Sequence, residues 1–190
     1  MAGCRFEAPR AESALAVFDA DLSIDGTTFT GCAARGLVAR FATGTVQGCT
    51  FEDGAGDGLV LTGSDVTVRN TRFQRLAGEA CAIGEGSHAR VDGGLAEDVT
   101  TAVAARDGST AEVAGLVIRG ARGYALAALV EKPELGPARL SARGLTIERS
   151  GKGDVFAQTG CTLELDGVTA PTRDGNPSDS SEEDALGRGD

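Results

Sequence analysis

Gly26-Thr27-Thr28-Phe29-Thr30, Gly48-Cys49-Thr50-Phe51-Glu52 and Asn70-Thr71-Arg72-Phe73-Gln74 are three versions of one five-residue phrase. Each opens on Gly or Asn, the residues that tolerate a positive φ, and each places Phe three positions later. The phrase returns about every 22 residues. Working outward, the same opening falls at Gly3, Gly93, Gly115, Gly144 and Gly167. The third position after it holds Phe6, Ala96, Ile118 and Ile147. A fixed period of this length is the signature of a solenoid, in which each repeat buries its apolar side chains against its neighbours.

Two further apolar columns keep the same beat. Eleven after each corner come Ala14, Leu37, Leu59, Cys81, Leu126 and Val155, with Val103 ten on after a one-residue deletion. Two before the next corner come Ile24, Val46, Val68, Val91, Val113, Ala142 and Leu165. Each lies in a short alternating segment such as Val66-Thr67-Val68, the period of a strand. Gly63-Ser64, Gly86-Ser87 and Gly108-Ser109 recur at one corner. The prediction is an all-β, single-stranded right-handed parallel β-helix of about seven coils with three parallel sheets, over residues 1–170. A leucine-rich repeat would need its Leu-x-x-Leu-x-Leu signature, and an antiparallel sandwich would not hold one corner at one spacing. The sixth coil is longer by about six residues, and Glu131-Lys132-Pro133-Glu134-Leu135-Gly136-Pro137 is expected to leave the sheets as a loop. Residues 171–190 lose the columns, and an acidic, disordered tail is expected there.

Composition excludes several functions. The net charge of −10 opposes nucleic acid as a partner. No apolar run approaches the roughly 18 residues of a membrane span, and the start lacks the apolar core of a signal peptide. Five cysteines without a CxxC pair point to free, mostly buried thiols. No cofactor motif is present. The first coil opens at Gly3 without an amphipathic helix ahead of it, so an upstream domain or a second subunit is expected to cover the N-terminal end.

Function on such a stack lies on the outward columns. Glu7, Thr30, Glu52, Gln74, Glu97, Arg119 and Glu148 alternate so that no two acids adjoin, which limits repulsion between strands. Nine after the corners stand Glu12, Arg35, Asp57 and Glu79, and Asp57 with Glu79 is a candidate pair for a shared cation or a raised pKa. Arg90 and Glu112 fall in register as a cross-strand pair, and the single His88 has no nucleophile placed with it. Leu15, Val38, Val60, Ala82, Ala104, Ala127 and Phe156 form an outward apolar column. A sheet apolar on both faces needs a cover, which makes Leu15, Val38, Val60 and Phe156 a candidate interface for a neighbouring domain or subunit.

The stretches Ala80-Cys81-Ala82-Ile83-Gly84-Glu85-Gly86-Ser87, Val103-Ala104-Ala105-Arg106-Asp107-Gly108-Ser109 and 125–138, with its Lys132-Pro133-Glu134-Leu135-Gly136-Pro137 loop, resemble the β-helix region of bacterial surface proteins. Those regions occur alone or beside a spore-coat-kinase-like (CotH-type) domain. The resemblance implies the pectate-lyase-like superfamily and an extracytoplasmic setting. The reading favoured here is a non-catalytic scaffold or binding module for interdomain, protein or glycan contact, with a polysaccharide among its possible partners. The alternative is a polysaccharide lyase or glycoside hydrolase, with Asp57, Glu79 and Asp107 as candidate acids and Arg106 or Lys132 as charge stabiliser.

Overall fold

In a computed structural model, which describes residues 1–7 and 10–175, the chain winds as a β-solenoid of about seven turns. Three sheets form its walls, with seven, eight and eight strands. The first contains Arg5–Glu7, Thr28–Thr30, Thr50–Glu52, Arg72–Gln74, Leu95–Glu97, Val117–Ala121 and Thr146–Ser150. The second runs from Ser13–Phe18 through Arg35–Arg40, Asp57–Thr62, Cys81–Gly84, Val103–Arg106 and Tyr124–Leu129 to Gly153–Gln158. The third runs from Asp21–Asp25 to Thr162–Leu165. Every pairing between successive coils is parallel. No helix among the described residues is long and apolar enough to cross a membrane.

The corners sit where the sequence puts them. Gly3, Gly26, Gly48, Asn70, Gly93, Gly115 and Gly144 all have φ between 47° and 63°. Between them the first sheet aligns Phe6, Phe29, Phe51 and Phe73 in register. Their rings are stacked, with centroids 5.0, 4.6 and 5.0 Å apart. This separation follows from the strand spacing of ~4.8 Å, which leaves one ring per rung.

A column of small residues makes room for the rings. Gly36 and Gly58 have ordinary φ, yet a Cβ on Gly58 would lie 2.7 Å from Phe73 Cδ1 and 2.8 Å from the Ala80 carbonyl. A Cβ on Gly36 would meet Phe51 in the same way, at 2.5 Å. Where the ladder changes from Phe to Ala96 and Ile118, the corresponding positions are Ala80 and Ala102. Large and small residues thus alternate across the core.

The recurring serines are a buried polar ladder. Ser64 Oγ accepts from the Ala42 N–H at 3.0 Å and donates to the Thr62 carbonyl at 2.9 Å, and Ser87 Oγ accepts from the Ser64 N–H at 3.1 Å. Each hydroxyl thereby satisfies backbone groups that the corner would otherwise strand in the core. Four cysteines are buried and Cys4 is half-buried, all with free thiols.

Three details depart from the sequence reading. Leu15 pairs with Leu37 and Ala16 with Val38, so Leu15 belongs to the inward column and leaves the candidate interface. The first coil spends one more residue than its neighbours between its Phe and this strand, which a fixed count from the corner misses. Gly167 does not turn a coil. Asp166 (φ 49°) and Gly167 (φ 80°) form a tight reversal that lays Val168–Thr169 antiparallel on Thr162–Leu165. Beyond residue 170, Thr172–Arg173 still pairs with the strand Gly153–Gln158. Residues 176–190, to which most of the expected tail belongs, lie outside the described residues.

Gly58→Ala should destabilise the fold by about 1–3 kcal/mol through overpacking, and Phe73→Ala by about 3–5 kcal/mol through the cavity it leaves. In urea melts, the double variant should lose less than the sum of the two, because the added methyl then occupies the vacated ring space.

Candidate functional site

On the outer face of the second sheet three columns run side by side. One continues from Arg35, Asp57 and Glu79 to Thr101 and Tyr124. The middle one is Val38, Val60, Ala82, Ala104, Ala127 and Phe156. The third is Arg40, Thr62, Gly84, Arg106 and Leu129. Alternation puts the middle and third columns on the face away from the core, and the first joins them because two consecutive residues ahead of the middle column, such as Gly58 and Leu59, both face inward.

The apolar middle column is covered by the chain itself. Val38, Ala82, Ala104, Ala127 and Phe156 are buried, and Val60 is half-buried. Arg106, from the third column, reaches across the alanines to pair through Nη2 with Glu79 Oε1 in the first. The Arg106 side chain is only 21% exposed and its Nε is buried, so the crossing guanidinium is itself largely out of water. Further on, Tyr124, Leu129 and Phe156 close over Ala104 and Ala127, with the two aromatic rings 5.1 Å apart and tilted by 43°.

Glu79 and Arg106 are the centre of the site. Arg106 Nε also lies 3.1 Å from Glu131 Oε1, though without the alignment of a hydrogen bond. Two carboxylates therefore share one guanidinium. The Glu79 side chain is only 14% exposed, and its Oε2 is buried with no hydrogen-bond partner. Burial pushes the Glu79 pKa up to about 6, against the pull of Arg106 and with a smaller push from Asp57 and Glu131. Burial also opposes the charge of Arg106, but the surrounding carboxylates outweigh it and hold its pKa above the ordinary value.

The remaining sequence candidates have other duties. Asp57 Oδ1 accepts from the Glu79 backbone N–H at 2.8 Å, so the proposed carboxylate pair meets main chain to side chain. Asp107 Oδ1 accepts from the N–H groups of Glu131 and Lys132, both at 2.7 Å, and so fastens the 131–137 loop. Lys132 Nζ donates to Glu85 at 2.5 Å, a second fastening of the same loop. Among the described residues, no three His, Cys, Asp or Glu side chains come together as a metal-binding group. Arg90 pairs with Glu112 at 3.5 Å, in the register expected, and His88 is exposed.

The ion cluster divides a groove. On one side lies a cavity of about 300 Å³ lined by Glu79, Thr100, Arg122, Tyr124 and Leu129. On the other lies one of about 280 Å³ lined by Arg40, Val60, Thr62, Glu85 and Lys132. Arg106 and Glu131 border both. Tyr124, Arg122 and Glu131 were not singled out from the sequence as site residues. Continuing the Asp57–Glu79 column by two more coils would have reached Tyr124, the one tyrosine of the chain.

A parallel β-solenoid with a groove along one sheet is the class of protein this geometry defines. The chain belongs to the right-handed β-helix family: the family model described as "Right handed beta helix region" matches residues 1–118. The match ends inside the strand Val117–Ala121, ahead of the 131–137 loop. No curated protein and no solved structure matches the chain significantly.

The raised pKa of Glu79 has a defined consequence for stability. The folded protein holds this proton more tightly than the unfolded chain does, so stability from this group falls as pH rises from about 4.5 through about 6. Compared with Glu79→Gln, the wild type should lose on the order of 2 kcal/mol between pH 4.5 and pH 7. Urea melts of both proteins across that range check it. Parallel pH profiles would show that the carboxyl is not perturbed.

Proposed function

We propose that the protein is a non-catalytic β-helix binding module that holds an extended glycan in the groove beside Arg106. The observation that carries this reading is that the acids of the groove are already committed. Asp57 and Asp107 accept from main-chain amides, and Glu79 and Glu131 share Arg106. Such a groove is a pre-paired polar surface over an apolar floor that includes the buried Tyr124, suited to a ligand rich in hydroxyls. The outward apolar column supports a protein interface less well, because most of its side chains are covered within the chain. The resemblance to bacterial surface β-helix regions supports an extracytoplasmic setting, and a spore-coat-kinase-like domain as a neighbour belongs to the same inference.

One observation favours a second reading, a carbohydrate-active enzyme of the lyase or hydrolase type. A carboxyl raised to about 6 beside an arginine in a cavity is the environment of a general acid, and Glu79 would take that role.

Calorimetric titration with a panel of defined oligosaccharides, together with an assay for new reducing or unsaturated ends, separates the two. The module reading expects saturable binding without turnover, weakened by roughly tenfold or more in Arg122→Ala, which removes an exposed guanidinium from the cavity lining. Turnover that Glu79→Gln abolishes would establish the enzyme instead, and absence of binding by every glycan would defeat both.

A further inference from the structure

We propose that Phe41, with Phe18 beside it, is an aromatic shelf on which one pyranose unit of the glycan stacks, a subsite at the far end of the groove from Arg106. The shelf rests on the glycan-binding reading and adds a second place of contact to it.

Phe41 adjoins the groove directly. Phe18 aligns with Arg40 and Arg40 with Thr62, so Phe18 stands at the head of the third outward column, and Phe41 turns the corner immediately after Arg40. Arg40 and Thr62 line the cavity that Arg106 and Glu131 border. From Arg40 to Arg106 is three strand spacings, ~14 Å. A pyranose unit in an extended chain advances by about one such spacing, so an occupant touching both ends has roughly four units or more.

The ring is exposed and yet held in place. The strand ahead of it, Arg35–Arg40, is paired on both edges, with Ser13–Phe18 and with Asp57–Thr62. Even so, Phe41 is 57% exposed and Phe18 67%. The two rings meet edge to face, with centroids 5.7 Å apart and planes at 88°. On its other side the Phe41 ring leans over the third coil, where a Cβ on Gly63 would come 2.7 Å from Cδ1. A ring fixed beforehand loses little freedom when a ligand settles on it.

Phe41 is also costly where it stands. It holds φ at 51°, a left-handed conformation that bulky residues rarely adopt. The same corner of the adjoining coils is turned by Asp19 and Gly63, residue types that accept this conformation far more readily. The corner does not require a ring, and the core does not use this one. Backbone strain and exposed apolar surface at one residue point to a binding position.

The chemistry of the shelf selects its occupant. The face of an aromatic ring is electron-rich, and the C–H groups on the flat side of a pyranose with equatorial hydroxyls are electron-poor and apolar, so the two lie together. The hydroxyls then project from the rim of the sugar. Arg40 is exposed there and makes no ion pair among the described residues, which leaves its guanidinium donors for them.

Calorimetric titration with di- to hexasaccharides of β-linked glucose, xylose and galactose tests this. In the wild type the hexasaccharide of the preferred sugar should bind more tightly than its disaccharide. Phe41→Ala should weaken the hexasaccharide by roughly tenfold and remove the gain with length. Phe41→Tyr keeps the ring and should keep the affinity. Phe41→Asp, which places at this corner the residue type of Asp19, should show the same loss as Phe41→Ala, with circular dichroism melts confirming an intact fold. Hexasaccharide affinity unchanged in both Phe41→Ala and Phe41→Asp would overturn the shelf, while a loss in Arg122→Ala would then leave the groove reading standing. Loss in the Phe41 variants with Arg122→Ala indifferent would keep the shelf and overturn the groove. No binding by any of these sugars would overturn both. A dimer that Phe41→Ala dissociates, with glycan affinity unchanged, would overturn the sugar subsite and make the shelf a contact between proteins.

Discussion

Phe29 lies flat between Phe6 and Phe51, and Phe51 between Phe29 and Phe73, because each coil pairs with the next in unbroken parallel register. Register has this authority because a strand's side chains alternate in direction. A slip by one residue would turn the ladder outward and bring charged neighbours such as Arg72 and Glu52 into the core. The ladder also limits what stands across from it. Gly36 and Gly58 lack side chains because ring atoms occupy the space where a Cβ would go. The walls, the corners and the positions of the outward residues all follow from this one stacking constraint.

The groove inherits that regularity and then breaks it. Columns on the second sheet repeat coil by coil, but the bond that organises the site crosses them. Arg106 leaves its own column, passes over the alanines and meets Glu79 on a neighbouring coil. Small residues in the middle column permit the crossing, and the crossing keeps them dry. The long sixth coil adds Glu131 from above, fastened by Asp107 and Lys132. The result is a cluster with one more negative charge than positive, in a place that disfavours charge, and the raised pKa of Glu79 follows from it.

This geometry explains what the sequence discloses and what it conceals. The Phe column, the valine column and the Arg90–Glu112 pair are legible because their partners are one period apart. The Leu15 register is lost because one extra residue in the first coil upsets a count taken from the corner. The Glu79–Arg106 bridge is hidden for a related reason: its residues are 27 positions apart and stand in different columns. The outward apolar column can be read from the sequence, but its cover cannot. Long side chains and an overhanging loop supply that cover, and periodicity carries no trace of either.

The central claim is that the face crossed by Arg106 is where the molecule meets its ligand. Hydrogen-exchange footprinting, with and without the tightest-binding oligosaccharide, tests it most directly. The account predicts added protection at Thr100 to Arg106 and at Glu131 and Lys132, with the outer face of the third sheet unchanged. Protection confined to the third sheet, or spread evenly over all three, would contradict it.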